Sequence, residues 1–252
     1  MEKITRKSML YPTGVEYGDY SMNHVVGCAH GCKYPCYAFL MKKRFGQVKD
    51  YDDWRNPKIV SNTLELLDKE IPRLKSKIES VHLCFSTDPF MFGCTEVAVM
   101  SVNAIRKLND ADIPCTVLTK GILPKDLAYL SKDNEYGISL VSLIENFRNR
   151  YEPYTATYTQ RIDALKFLHD VGCKTWVSME PYPTPNIVEQ DLQKILNSVA
   201  FVDKIIFGRW NYSKEVSEYS MHKDFYNRCA ELVKKFCSHF KIECIIKKGT
   251  LT

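Results

Sequence analysis

Apolar residues along the chain fall into two alternating patterns. Short, nearly continuous runs at Ser21–Val26, Val81–Ser86, Cys115–Lys120, Gly137–Leu143, Lys174–Met179, Lys204–Gly208 and Glu243–Ile246 predict strands buried on both faces. Between them, Asn62–Lys77, Val97–Leu108, Thr159–Val171, Glu189–Val199 and Met221–Phe240 carry a helical period. Leu64, Leu66, Leu67, Ile71 and Leu74 form the apolar stripe of the first, where Pro72 is expected to leave a break or a new start. Gly172 is a helix stop after Val171. Repeated strand–helix–strand units imply a parallel sheet with right-handed crossovers. The expected fold class is therefore α/β, as a partial (β/α)6-type TIM barrel with parallel strands and an extra C-terminal strand; a doubly wound open sheet also fits. No linker, repeat or low-complexity tract divides the chain, so residues 1–252 read as one domain. Within it, residues 1–20 are an N-terminal extension and 221–252 a C-terminal helix and strand.

Composition narrows the class. With 252 residues, 45% hydrophobic and 26% charged, the chain is ordinary globular protein, which excludes a disordered or collagenous one. No run approaches the roughly 18 apolar residues of a membrane span, and Met-Glu-Lys-Ile-Thr-Arg-Lys precedes no apolar signal core. A cytoplasmic protein with no membrane partner is expected. Lys and Arg total 35 against 30 Asp and Glu, a net +5 too weak to argue for nucleic acid. The local excess at Lys42, Lys43, Arg44 and Lys49 reads as a solvated helix end ahead of a phosphate contact.

Ligands of either α/β architecture bind at the carboxyl ends of the strands. The residues there are polar: Ser86-Thr87-Asp88, Thr119-Lys120, Ser139 and Ser142, Ser178 and Glu180, Arg209 and Asn211. Ten cysteines without a signal peptide favour metal ligation or catalysis over disulfides. Seven are scattered, several in apolar runs, and read as small hydrophobes. The other three, Cys28, Cys32 and Cys36, lie within nine residues of a Gly- and Pro-rich loop after the first strand. Three thiolates on one loop can grip one metal centre, and soft sulfur selects zinc or iron–sulfur chemistry. Structural zinc wants a fourth ligand; His30 sits inside the same loop, where four ligands would crowd. Three cysteines without a partner suggest a cluster with one open position.

This loop resembles that of the radical S-adenosylmethionine superfamily, whose usual pattern is C-x3-C-x-aromatic-C. The first spacing and the aromatic Tyr34 match, while the inserted Pro35 makes the pattern C-x3-C-x3-C. The wider order resembles the branch related to spore photoproduct lyase: Ser86-Thr87-Asp88-Pro89, Leu118-Thr119-Lys120, Ser139, Glu152-Pro153 and Arg161 follow in sequence. The resemblance implies a four-iron four-sulfur cluster on Cys28, Cys32 and Cys36, with reductive cleavage of S-adenosylmethionine to a 5′-deoxyadenosyl radical that takes hydrogen from a substrate. It further implies an electron donor such as flavodoxin or ferredoxin. Tyr34 and Tyr37 would pack over cluster or adenine, Lys120 would pair with the methionyl carboxylate, Ser86 and Thr87 would meet its amino group, and Ser139 the ribose. Glu152 and Arg161 would brace the loop. Cys84 and Cys94 are the candidates for a hydrogen-atom donor.

The substrate stays open at this point. A nucleic-acid lesion or modified base follows from the branch, and Trp210, Tyr212, Tyr151, Tyr154 and Tyr158 are either a stacking platform or core. A small molecule or peptide is the alternative, and a non-enzymatic zinc-binding module that recruits partners is the rival from another class.

Overall fold

The computed structural model describes residues 1–14, 17–34 and 36–251; the Pro35 insertion lies outside the described residues. The chain opens with strands β1 (Glu2–Ile4), β2 (Leu10–Pro12), β3 (Tyr20–Met22) and β4 (Val25–Val26). Helices α1 (Tyr37–Arg44) and α2 (Tyr51–Arg55) follow, then β5 (Lys58–Val60), α3 (Thr63–Leu74), β6 (Val81–Leu83) and α4 (Thr95–Asn109). The alternation continues with β7 (Cys115–Thr119), β8 (Glu135–Ser139), α5 (Glu145–Tyr151), α6 (Tyr158–Asp170), β9 (Lys174–Tyr182) and α7 (Leu192–Ser198). It closes with β10 (Lys204–Arg209), α8 (Lys214–Glu218), α9 (His222–Phe240) and β11 (Glu243–Ile246).

The large sheet runs β11-β10-β9-β8-β7-β6-β3-β2. Six strands, β3 and β6 to β10, are parallel neighbours, β11 adds a seventh in parallel, and only β2 is antiparallel. The two edges do not pair, so this is a partial barrel of the expected class, with β11 as the extra strand. A second sheet, β1-β5-β4, stands beside it.

Three local expectations need correction. The run Ser21–Val26 is two strands in two sheets: Asn23 and His24 turn the chain out of the large sheet. They are held there by Ser86 N–H donating to Asn23 Oδ1 and Val60 N–H donating to the His24 carbonyl. The fourth strand begins earlier and ends at Ser139. Pro72 does not break α3, because the carbonyl it leaves without a donor belongs to exposed Asp68 and the buried stripe Leu66, Leu67, Ile71 holds the helix in place. The fifth and sixth parallel strands match the apolar runs closely, and Trp176, Val177, Met179, Ile205, Ile206 and Phe207 are all fully buried. Helix α9 lays Tyr226, Cys229, Ala230, Val233, Phe236 and Cys237 into the core at helical spacing. No helix of the described residues is long and apolar enough to cross a membrane.

Candidate active site

A cleft of about 460 Å³ opens where the carboxyl ends of the parallel strands meet the cysteine loop. Cys28, Cys32 and Cys36 line it together with Tyr34, Tyr37, His82, Phe85, Lys120 and Trp210, and Phe85 packs edge-on to Tyr37 with ring centres 6.2 Å apart. Glu180, Arg209 and Lys247 line it as well, with Lys247 Nζ 2.6 Å from Glu180 Oε2.

Backbone geometry sets the loop first. Gly27 has φ +93°, and a Cβ there would lie 2.6 Å from the Trp54 carbonyl oxygen, which accepts a hydrogen bond from Cys28 N–H at 2.8 Å. Thr87 Oγ1 donates to the Gly27 carbonyl. Phe92 N–H donates to His30 Nε2 at 2.8 Å, which leaves the ring proton on Nδ1, 3.4 Å from Asp88 Oδ2. Both His30 nitrogens are thereby occupied and the ring is buried, so His30 locks the loop and is not free as a fourth zinc ligand. Burial holds its pKa below the ordinary value, with Asp88 opposing.

Asp88 is the hub. Its Oδ1 accepts from Phe90 N–H at 2.9 Å and from Thr119 Oγ1 at 2.6 Å, and its Oδ2 accepts from Lys120 N–H at 2.8 Å. Asp88 thereby caps its own turn, and the same carboxylate also ties the ends of β6 and β7 to the cysteine loop. Gly121 permits this close approach, since a Cβ there would lie 1.7 Å from the Phe90 carbonyl oxygen.

Beneath Lys120 lies the ion pair of Arg161 and Glu152, both fully buried, with Nη2 to Oε2 2.6 Å. Arg161 also donates to the carbonyls of Ala156 and Ser139 at 3.0 and 2.9 Å, and Tyr34 Oη donates to Glu152. Desolvation works against the Glu152 carboxylate, but Arg161 and Lys120 outweigh it, so its pKa stays below the usual range. Burial likewise works against the Lys120 ammonium, and Glu152, Cys32 and Asp88 together more than offset it, leaving the lysine charged with a raised pKa. Lys120 Nζ sits 5.7 Å from the Tyr34 ring centre. The brace expected of Glu152 and Arg161 is what the structure contains.

The remaining sequence candidates are placed as follows. Tyr34 is buried, edge-on to Trp210 at 5.3 Å, and Tyr37 is exposed at the cleft mouth. Ser86 is buried with its hydroxyl on Asn23 Oδ1 at 3.1 Å, and Ser139 is buried at the end of β8; neither lines the cleft. Cys84 lines the cleft in a left-handed conformation (φ 62°), with Sγ 3.4 Å from His24 Nδ1. Burial pushes its thiol well up. Cys94 lines a different cavity of about 530 Å³, on the outer side of α4. Of the aromatic residues, Trp210 and Tyr212 line the cleft, Tyr151 and Tyr158 are buried, and Tyr154 is exposed under the Arg55 guanidinium. Sequence reasoning passed over His82, which lies inside an apolar run; burial depresses its pKa to about 3. Its polarity amid that run was the available signal.

The three thiols suit a sulfur-ligated metal group. Burial pushes Cys28 well above the ordinary thiol range and Cys32 up to about 12, with Lys120 opposing the latter, so ionisation there calls for a bound soft cation. Among the described residues no three Cys, His, Asp or Glu side chains gather at single-ion spacing. Each thiolate of a cluster takes a different iron, so three cysteines lining one cleft suit a cluster better than a single ion.

Among curated proteins, the chain is 27% identical over 190 residues to "Uncharacterized protein MJ0683" of Methanocaldococcus jannaschii, covering 74% of this chain and 69% of that one. It is 26% identical over 195 residues to "Uncharacterized protein ORF301" of Acidianus two-tailed virus, covering 74% of this chain and 64% of the relative. Among solved structures, spore photoproduct lyase complexed with dinucleoside spore photoproduct superposes with a TM-score of 0.71 at 13% identity, over 97% of this chain and 80% of that one. Streptococcus suis SuiB bound to S-adenosylmethionine gives 0.51 at 15%, over 90% and 46%. At such identities these are likenesses of fold. The family model of the Radical SAM superfamily matches residues 22–199, well over half of the sequence and all three cysteines of the loop, and the chain belongs to that superfamily.

Proposed function

We propose that this chain is a radical S-adenosylmethionine enzyme that acts on a modified or damaged nucleobase. The observation that carries the reading is that Cys28, Cys32, Cys36 and Lys120 line one cleft together with the aromatic side chains of Phe85 and Trp210. Family membership implies S-adenosylmethionine and an iron–sulfur cluster. When bound, a four-iron cluster with one open iron supplies one-electron cleavage of the sulfonium, which yields the hydrogen-abstracting 5′-deoxyadenosyl radical. Cys28, Cys32 and Cys36 are the ligands in this reading, and the His30–Asp88 lock holds two of them in place.

The chain's own residues do the rest. Lys120, kept cationic by Glu152 and the other anionic neighbours, presents an ammonium to a carboxylate in a desolvated cleft, where the pair is stronger than in water. Tyr34 and Tyr37 give the cofactor apolar walls. Thr87 and Ser86 position the loop through Gly27 and Asn23, and Ser139 anchors Arg161 through its carbonyl. Cys84, protonated and within the cleft, is the better placed hydrogen-atom donor, because Cys94 opens to another cavity. The nucleobase assignment draws on the fold likeness to a lyase solved with a dinucleoside photoproduct and on the aromatic side chains that line the cleft.

Anaerobic reconstitution tests the reading. Wild type should be brown, hold about four irons per chain and release 5′-deoxyadenosine under dithionite; Cys32→Ala should lose both colour and cleavage. One tightly held zinc and no cleavage would instead establish the zinc-binding module. Turnover of a lesion-bearing oligonucleotide, lost in Cys84→Ala while cofactor cleavage persists, checks the substrate and the donor.

A further inference from the structure

His24 is a buried titratable group that takes no part in the function proposed above. It is fully buried, does not line the cleft, and stands behind Cys84, which does. Cys84 Sγ lies 3.4 Å from His24 Nδ1, and the His24 backbone N–H also faces the sulfur. On the other side of the ring, Nε2 lies 2.8 Å from Ser101 Oγ in α4. The backbone at Cys84 is bent to reach this place. Its φ of 62° is a conformation that a residue with a Cβ rarely adopts. Cys84 N–H donates to the Met22 carbonyl at 2.7 Å and Thr87 N–H donates to the Cys84 carbonyl at 3.1 Å, which hold the bend.

The surroundings decide where the protons sit. Ser101 has a single hydroxyl proton, and the Pro89 and Val97 carbonyls, 2.6 and 3.0 Å from its oxygen, can only accept. The nearer one, Pro89, takes that proton, so Ser101 Oγ accepts from His24 Nε2–H; the Val97 carbonyl also faces the ring N–H. Burial pushes the His24 pKa down to about 4, against the bond to Val97 and with help from Arg6, so the ring is neutral at pH 7 and its one proton is on Nε2. Nδ1 is then a bare acceptor, and the Cys84 thiol, which burial keeps protonated, is the donor beside it. The thiol hydrogen thus points into the buried wall, away from the cleft that the sulfur lines.

We propose that His24 is a positioning residue that parks the Cys84 thiol hydrogen away from the cleft until a substrate radical is there to take it. The inference rests on the reading of Cys84 as the hydrogen-atom donor. A thiol beside a 5′-deoxyadenosyl radical is a hazard, because the carbon–hydrogen bond the radical can form is stronger than the sulfur–hydrogen bond it would break. Direct attack makes the 5′ C–H bond of 5′-deoxyadenosine, breaks the S–H bond and leaves a thiyl on Cys84, so the hydrogen needed by the product radical is lost. The bond to Nδ1 sets the S–H vector into the wall, and rotation about Cβ–Sγ releases it for the loss of that one bond. A single such bond biases the thiol orientation about fivefold. The same weakness lets the hydrogen swing out when a product radical waits in the cleft.

Two measurements test it. The first needs no turnover: nitrogen-15 NMR of the histidine rings of the full chain at pH 7, with His24 assigned by its loss in His24→Asn, should show a neutral ring protonated on Nε2. A ring protonated on Nδ1, which would donate to the sulfur and free the thiol hydrogen, overturns the proposal. The second reads deuterium in the 5′-deoxyadenosine released from S-adenosylmethionine by the reconstituted protein and dithionite in D2O, with no substrate added. There the thiol carries deuterium, and an electron from dithionite with a solvent deuteron returns any thiyl to thiol. Wild type should take up little label and His24→Leu about five times as much. His24→Asn, whose amide oxygen can stand where Nδ1 did, should stay close to wild type, and the extra label should vanish in His24→Leu/Cys84→Ala. Equal labelling of wild type and His24→Leu overturns the proposal, as does extra label that survives the loss of Cys84. If wild type releases no 5′-deoxyadenosine, the cluster reading fails instead, and the NMR measurement still decides the proposal, as it does if His24→Leu does not fold.

Discussion

The loop carrying Cys28 and Cys32 is tied to the ends of β6 and β7 through Thr87, His30 and Asp88, whereas helix α1, the next element of chain, has no buried residue at all. Sequence neighbours are thus held by different physics. The loop is fixed by polar contacts that are costly to leave unmade once buried, and beneath them by a full ion pair. The helix is held by ring contacts of Phe39 with Tyr51 and Trp54 and of Tyr37 with Phe85, and by its own hydrogen bonds. A loop proposed to hold a metal group needs fixed geometry, and the polar ties supply it; nothing comparable fixes α1.

Four measurements can break or sharpen that contrast. The largest effect is expected from Arg161→Met, which strands the Glu152 carboxylate in a dry interior and should cost about 3–5 kcal/mol in urea unfolding at pH 7; a loss below 1 kcal/mol would mean the brace is solvated. Next is acid. His24 and His82 are buried and neutral, with pKa values depressed to about 4 and about 3. The unfolded chain takes up protons below about 6.5 and the folded one does not, so stability is level above that pH and falls as pH drops through it toward the folded values. The two together should remove roughly 3–4 kcal/mol between pH 7 and pH 5, and His82→Phe should shrink that slope. Third, Asp88→Asn keeps the shape but turns an amide toward Lys120 N–H or His30 Nδ1–H, and should cost about 1–3 kcal/mol with a drop in iron bound on reconstitution. Smallest is Leu40→Ala on the bare helix, expected within about 0.5 kcal/mol of wild type; a larger loss would show that α1 is packed after all.

Much of this arrangement was legible before any coordinates. The three closely spaced cysteines, the continuous apolar strands and the polar residues at their carboxyl ends follow from local composition and order, and the Glu152–Arg161 brace from the family resemblance. Chemistry of residue type and the periodicity of burial are local properties, so a sequence carries them openly.

What the chain alone did not disclose is where side chains spend their hydrogen bonds. Ser86 and Ser139 sit at strand ends yet turn from the cleft, and His30 is consumed by Asp88 and a backbone amide. Cys84 and Cys94 look alike in sequence but open to different cavities. The break expected at Pro72 and the single strand expected over residues 21–26 also yielded to partners far along the chain. Sequence set the chemistry available to this protein and the order of its strands; the tertiary structure chose which groups face the cleft. That choice is a competition between non-local partners, each satisfying buried polar atoms, and no residue's own neighbours can decide it.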